Sequence, residues 1–331
     1  MTSRTKLFIK LSLRISFTIV ALLWVFDQID FQQFRQELKM ARWEYLIPVW
    51  MLTIILLYVN SEKMRFILRK QDCSVNTCIL FGASAVSFFY SMFMPGPLST
   101  GVKWYILKKH TRKGCNVLSS MVYNQLSVMI VMAVSGLAVL IITNPIVILL
   151  PDVKTQWLLP VICGMSAITI IIISLLLLNR RTGEKAISLL GHILRYLPER
   201  VQQKGEEILG QLAVFQTVGY RFHFVIAFIT IMNSFAGSIV LYILSAKGAS
   251  IVAPLGVFFW LPAIIYILGK IPISIANLGV REVTLVSILK LYGIEGSAVL
   301  LMSMILFSTS LFMAIIGVFY QLSWAGAGKP H

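Results

Sequence analysis

Apolar residues gather in eight runs along the chain, near 9–26, 44–60, 78–94, 118–142, 157–178, 222–245, 252–269 and 297–322. Most continue for about 20 residues, the length at which a helix crosses a hydrocarbon core about 30 Å thick. The third and seventh runs end differently. The third closes in Met94-Pro95-Gly96-Pro97-Leu98-Ser99-Thr100-Gly101 and resumes as Val102-Lys103-Trp104-Tyr105-Ile106-Leu107. The seventh is followed by Lys270, then Pro272 through Gly279, then Val280-Arg281-Glu282-Val283 and a short apolar stretch to Tyr292. Proline and glycine at that density break a helix. Each region therefore predicts a helix, a broken tip and a returning half-helix, with Pro95, Pro97 and Pro272 as the breakers.

Charge decides between eight crossings and this hairpin arrangement. Eight alternating crossings put the basic loops Lys108–Lys113 and Arg180–Arg221 on the outer face, against the positive-inside rule. With both hairpins re-entrant, twenty Lys and Arg fall on the cytoplasmic side and five outside. The predicted fold is thus an all-α polytopic membrane protein of about six full spans plus two re-entrant hairpins. Residues 1–142 form a first membrane repeat with its hairpin at about 78–107, and residues 157–322 a second with its hairpin at about 252–292. Between them, 143–221 includes the span 157–178 and a cytoplasmic amphipathic segment, 184–220. The two repeats share an element order and run in opposite orientation, as in many transporters. Pro95 before Gly101-Val102-Lys103 echoes Pro272 before Gly279-Val280-Arg281.

Two flanking segments take particular readings. Arg4, Lys6, Lys10 and Arg14 precede an apolar stretch reaching Phe26 with no small-residue cleavage site, which predicts a retained first span. In 184–220, apolar residues at helical spacing fit two amphipathic helices on the membrane surface. A connector docked on the bundle fits equally. Trp24, Trp43, Trp104, Trp157 and Trp324 flank spans, as an interfacial aromatic belt would.

Composition removes other classes. Of the 331 residues 58% are hydrophobic and 13% charged, about half the charged share of a soluble domain. The net charge of +16 sits mostly in loops between spans, so it implies no nucleic-acid partner. Cys73, Cys78, Cys115 and Cys163 show no metal or disulfide spacing, the four histidines form no HExxH, and no nucleotide loop is present. No cofactor or metal is expected, and neither is a soluble catalytic domain.

Charges at membrane depth are costly and mark function. Two hairpin tips meeting near the midplane would line a watery cavity. Gly96, Gly101 and Gly279 allow close backbone approach, and helix N-termini favour anions. Lys103, Arg281 and Glu282, with Ser99, Thr100, Asn277 and Lys270 around them, describe a site for a lipid head group. Arg281 can hold a phosphate through two hydrogen bonds, whereas Lys103 is a point charge. Glu282 fits a basic partner, a substrate amine or a coupling proton. The bland alternatives are a mutual Arg281–Glu282 pair that positions the hairpin, and a Lys103 that snorkels to the surface. Tyr123, Asn124 and Gln125 fit a cavity wall or interhelical bonding; Asn233, Ser234, Gly237 and Ser238 fit a packing face.

The segment Pro272–Glu282, PISIANLGVRE, resembles the signature of the lysylphosphatidylglycerol-synthase transmembrane family, which includes the flippase domain of the bacterial multiple peptide resistance factor. Pro95–Lys108, PGPLSTGVKWYILK, resembles that family's first motif, and the likeness extends over essentially the whole chain. Where the family commonly has a Gly-acid pair and then Arg, this sequence has Ser99-Thr100 and then Lys103. The soluble aminoacyl-transferase domain of full synthases is expected to be missing, because His331 lies just past the last span.

The resemblance implies translocation, as flippase or scramblase, of an anionic or amino-modified phospholipid or lipid-linked head group in the bacterial inner membrane, with both termini cytoplasmic. The expected partner is a phospholipid or polyprenyl-linked lipid, and self-association is compatible with it. Two alternatives stay open: a membrane-embedded transferase using Asp27 and Asp30 with a polyprenyl-phosphate donor, and a membrane partner of a separately encoded lipid-modifying enzyme, held through Arg180, Arg181 or Lys185.

Overall fold

The computed structural model describes residues 24, 31–94, 96–149, 156–179, 182–184, 188, 199–270 and 279–326. Most of the first predicted span, Pro95, Pro272, Asn277, Asp27, Asp30, Arg180, Arg181 and Lys185 lie outside them. The described chain is helical throughout: α1 Phe31–Met40, α2 Leu46–Arg69, α3 Thr77–Ser91, α4 Gly96–Thr111, α5 Gly114–Thr143, α6 Pro145–Leu149, α7 Leu158–Leu178, α8 Glu199–Thr217, α9 Tyr220–Thr230, α10 Gly237–Gly248, α11 Leu255–Leu268, α12 Val280–Lys290 and α13 Gly296–Gly326. Among the described residues there is no strand, and a π-helical turn, Ile231–Ala236, joins α9 to α10. Among the described residues five helices are long and apolar enough to cross a membrane: Trp43–Arg69, Gly114–Val147, Leu158–Leu178, Tyr220–Gly248 and Gly296–Ala325.

The two Pro/Gly-broken regions fold as paired short helices. With 15 residues in α3 and 14 in α11, each reaches only about 22 Å at 1.5 Å per residue. The first pair leaves and returns to one end of the bundle. Leu80 near the start of α3 and Leu107 near the end of α4 share a core cluster with Leu68 and Val117. Asn116 at the start of α5 donates to the Gln71 carbonyl at 3.3 Å, and Lys113 Nζ to the Asp72 carbonyl at 3.0 Å. The second pair leaves and returns to the opposite end. There Ala249 and Val257 share a cluster with Leu289 and Val299, and Arg42 N donates to the Gly248 carbonyl at 2.9 Å. The hairpins thus open toward opposite ends of the bundle.

Small residues let the parts approach closely, which is how helices associate where no hydrophobic force separates lipid from protein. α3 carries Gly82, Ala83, Ser84 and Ala85 and packs along α13. A Cβ at Gly317 of α13 would collide with the Ala85 carbonyl, and one at Gly136 of α5 would stand 2.6 Å from Ala263 Cβ of α11. Trp50 of α2 stacks on Phe312 of α13 at 5.0 Å and donates to Ser308 Oγ at 3.0 Å.

The second half of the 184–220 segment docks on the bundle. Phe215 of α8 is buried and stacks on Tyr123 of α5 at 4.2 Å between centroids. Gln71 donates to the Gln211 carbonyl at 2.7 Å. Trp104 and Trp324 lie toward the end bearing α8, Trp43 and Trp157 toward the other, with Trp43 and Trp157 exposed.

Candidate head-group cavity at the second hairpin

The turn into α12 is set by local chemistry. Gly279 stands at φ +86°, in the left-handed region where glycine carries no Cβ penalty. Its N–H donates to Glu282 Oε2 at 2.7 Å, so the carboxylate three residues on caps its own helix. The helix N-terminus is thereby closed by Glu282 and does not stand open to an outside anion.

Glu282 is 4% exposed, and donors meet both of its oxygens. Oε1 accepts from Arg281 Nη2 at 2.6 Å, from Arg281 Nε at 3.1 Å and from Ser303 Oγ of α13 at 2.7 Å. Arg281 Nε also reaches Ser303 Oγ at 3.1 Å. This is the geometry of the positioning pair: two neighbouring charges, a helix cap and a hydroxyl on the next span form one latch holding α12 to α13. Arg281 keeps part of its donor set. Nη1 makes no hydrogen bond among the described residues, and the guanidinium lies 5.8 Å from the Phe307 ring centroid.

The free side of Arg281 faces a cavity of about 280 Å³, lined also by Lys270, Tyr266, Tyr242, Ser238, Thr309 and Ser310, with Leu241, Pro262, Ile265 and Leu306 as apolar wall. Lys270 is exposed, and its ammonium sits 4.5 Å from the Tyr266 ring centroid, a cation–π contact. Tyr266 OH accepts from Gln125 Nε2 of α5 at 3.0 Å. Glu282 is not part of the lining: it pairs with Arg281 from behind, while Lys270 meets no carboxylate among the described lining residues. A larger cavity of about 420 Å³ at the other end is lined by Asn179, Gln216, Tyr220 and His223. His223 there is already hydrogen-bonded to Tyr123 OH at 2.7 Å, and among the described residues no Lys, Arg, Asp or Glu lines it. The smaller cavity is the one that Lys270 and Arg281 line.

Of the residues that the sequence nominates, the structure brings Lys270 and Arg281 together with Ser238, and places Gln125 behind Tyr266. Gly279 and Glu282 serve the latch. Lys103 is not in this cavity; it stands on α4, in the first hairpin. Ser99 is buried with its carbonyl accepting from Ser87 Oγ at 2.7 Å, and a Cβ at Gly101 would meet nothing within 4 Å. Thr100 is exposed, and Gly96 begins α4. Gly237 packs against Leu56.

Sequence reasoning missed Lys63. Its place after the apolar run 44–60 reads as a basic loop, yet α2 continues to Arg69 and Lys63 is 1% exposed, with Nζ 3.2 Å from Thr230 Oγ1. The available signal was the apolar spacing of Met64, Ile67 and Leu68, which carries the buried helix past the charge. Tyr242 and Tyr266 were likewise unread, being ordinary interfacial residues by sequence.

No curated protein and no solved structure matches the chain. The family described as the lysylphosphatidylglycerol synthase TM region matches residues 10–317, which spans both hairpins, the latch and the cavity, and the chain belongs to that family.

Proposed function

We propose that this protein moves an anionic lipid head group across the membrane through the cavity at the second hairpin, as a flippase or scramblase without catalytic chemistry of its own. The observation that carries this reading is the pair Lys270 and Arg281, both facing one cavity beside a helix break, with Glu282 held in the latch and no carboxylate among the described lining residues. Cations at membrane depth are costly unless they meet counter-charge. Arg281 has that of Glu282; a phosphate would supply it to Lys270, and Arg281 Nη1 with the Lys270 ammonium are donors suited to phosphate oxygens.

At about 280 Å³ the cavity falls below the roughly 300–1,000 Å³ that encloses a drug-sized ligand. It suits a head group whose acyl chains stay in the bilayer. The carboxylate that would favour a lysyl or other amine head group is committed elsewhere, which favours anionic over aminoacylated lipids. Because Arg65, Arg69, Lys70, Lys108, Lys109, Arg112, Lys113, Lys204 and Arg221 gather at the end bearing α8, the positive-inside rule makes that end cytoplasmic. The first hairpin then opens to the cytoplasm and the second to the outside, in the plasma membrane of the cell.

Head-group binding tests the reading. Titration of the purified protein with phosphatidylglycerol and with phosphatidylcholine in detergent is expected to show preference for the anionic lipid and a loss of at least tenfold in Lys270→Gln. Equal affinity for both lipids, unchanged in Lys270→Gln, would overturn it.

A further inference from the structure

Lys63 of α2 is fully buried, and its one hydrogen bond is to a neutral hydroxyl, Thr230 Oγ1 at 3.2 Å. That hydroxyl donates its own proton to the Ile226 carbonyl at 2.6 Å, so it accepts from the ammonium and brings no charge. Lys103 of α4 is near enough for the two positive charges to repel each other. The packing agrees: Leu107, one turn beyond Lys103, shares a core cluster with Met64. Lys63 lies about 9 Å and Lys103 about 12 Å along their helices from Arg69 and Thr111, at 1.5 Å per residue. Both residues thus stand about two helical turns in from the basic end.

No carboxylate balances them among the described residues. Glu62, the adjacent acid, is turned the other way, accepting from Thr77 Oγ1 and from Arg65 Nη1 at 3.4 Å. Lys103 has no hydrogen bond or ion pair there either. Two further polar groups within the bundle are incomplete. Asn124 of α5 and Asn233 in the π-helical turn that follows Thr230 have buried carbonyl oxygens with no partner among the described residues. The two ends of an Asn amide are alike in shape; turned over, each presents an NH2, the donor that an anion needs. A buried lysine that feels a second, half-buried one, with no acid among the described residues, is a costly arrangement unless a counter-charge arrives.

We infer that Lys63 and Lys103 form a second anion site, at the first hairpin, for a phosphate monoester group. A monoester carries about −1.5 to −2 near neutral pH, which matches two lysines better than the single charge of a diester. The inference rests on the reading of this chain as a lipid carrier and adds a station to it. The Lys270–Arg281 cavity belongs to the hairpin opening at one end of the bundle, the Lys63–Lys103 pair to the hairpin opening at the other. A head group released from one pair of cations meets the other before it reaches the far face.

The test counts bound lipid by native mass spectrometry of the full chain in detergent, with dioctanoyl phosphatidate as the probe. Wild type is expected to retain two molecules, and Lys63→Met, Lys103→Met and Arg281→Gln one each. Lys63→Met should unfold no earlier than wild type in lipid-free detergent, since it removes an unbalanced buried charge; should it fail to fold, the half-buried Lys103→Met decides alone. Retention of two molecules by both lysine variants would overturn the inference. So would a single molecule in wild type that only Arg281→Gln removes, a result that leaves the cavity reading intact. Loss confined to the lysine variants would instead refute the cavity and keep the second site. Inorganic phosphate is the second arm. Displacement of the lysine-dependent molecule by phosphate assigns the site to the phosphoryl group from either source; its retention assigns the site to lipid phosphates. Both results support the inference.

Discussion

Replacing Glu282 by Gln removes one charge and almost no volume, so it isolates the electrostatic part of the latch. In wild type the carboxylate, with its side chain 5% exposed, receives Arg281, with its side chain 13% exposed, at 2.6 Å. Removing one partner of a buried pair leaves the other uncompensated, and that costs about 3–5 kcal/mol. The glutamine oxygen can still accept one bond, from the Gly279 N–H or from Ser303, which places the expected loss near the lower bound, at about 3 kcal/mol. Ser303→Ala deletes the hydroxyl that donates to Glu282 and accepts from Arg281, and should cost about 1.5–3 kcal/mol, as bonds to charged groups do. The assay is reversible unfolding in mixed micelles followed by tryptophan fluorescence. Because the groups act as one unit, the double variant Arg281→Gln/Glu282→Gln should lose less than the two single losses together, with a coupling of about 1–3 kcal/mol. A Glu282→Gln protein within about 1 kcal/mol of wild type, together with an additive cycle, would refute the latch.

Other consequences can be checked separately. Gly317→Ala drives a methyl into the Ala85 carbonyl and should cost about 1–3 kcal/mol by overpacking, read in the same unfolding assay; an unchanged midpoint would contradict the close approach of α3 and α13. Phe215→Ala empties the stack on Tyr123 and should cost about 3 kcal/mol, releasing α8 to faster cleavage by added protease. The native cysteines report the first hairpin: Cys78 at its start and Cys115 just beyond its end should react with an impermeant maleimide from one face only. Buried Cys73, whose thiol burial pushes above its ordinary pKa, should stay unlabelled near neutral pH, where it is protonated. Labelling of Cys78 and Cys115 from opposite faces would rule out the hairpin.

The parts legible in the sequence are those governed by local rules. An apolar run of about 20 residues can bury its backbone polar groups in lipid only as a helix, so the crossings could be read from composition alone. The breaks beside Met94 and Lys270 were legible because proline and glycine act within one turn. What the sequence leaves open depends on distant partners. Arg281 and Glu282 were compatible with a ligand site, a proton carrier or a mutual pair, and Ser303, 21 residues beyond Glu282, supplies the contact that shows the pair. Lys63 looked like a loop charge because its burial comes from Thr230, separated by 167 residues. Lys103 and Arg281, placed alike in their two motifs, do not share a cavity, since the hairpins that carry them open toward opposite ends of the bundle.

The most direct test of the account is lipid movement in liposomes containing the purified protein and a fluorescent anionic phospholipid, with wild type, Lys270→Gln and Arg281→Gln compared at matched protein content. Lys270 takes no part in the latch, so its variant separates loss of the anion site from loss of the fold. The account predicts exchange of the anionic head group between leaflets in wild type, at least tenfold slower in Lys270→Gln and in Arg281→Gln. Wild-type exchange rates in both folded variants would contradict it.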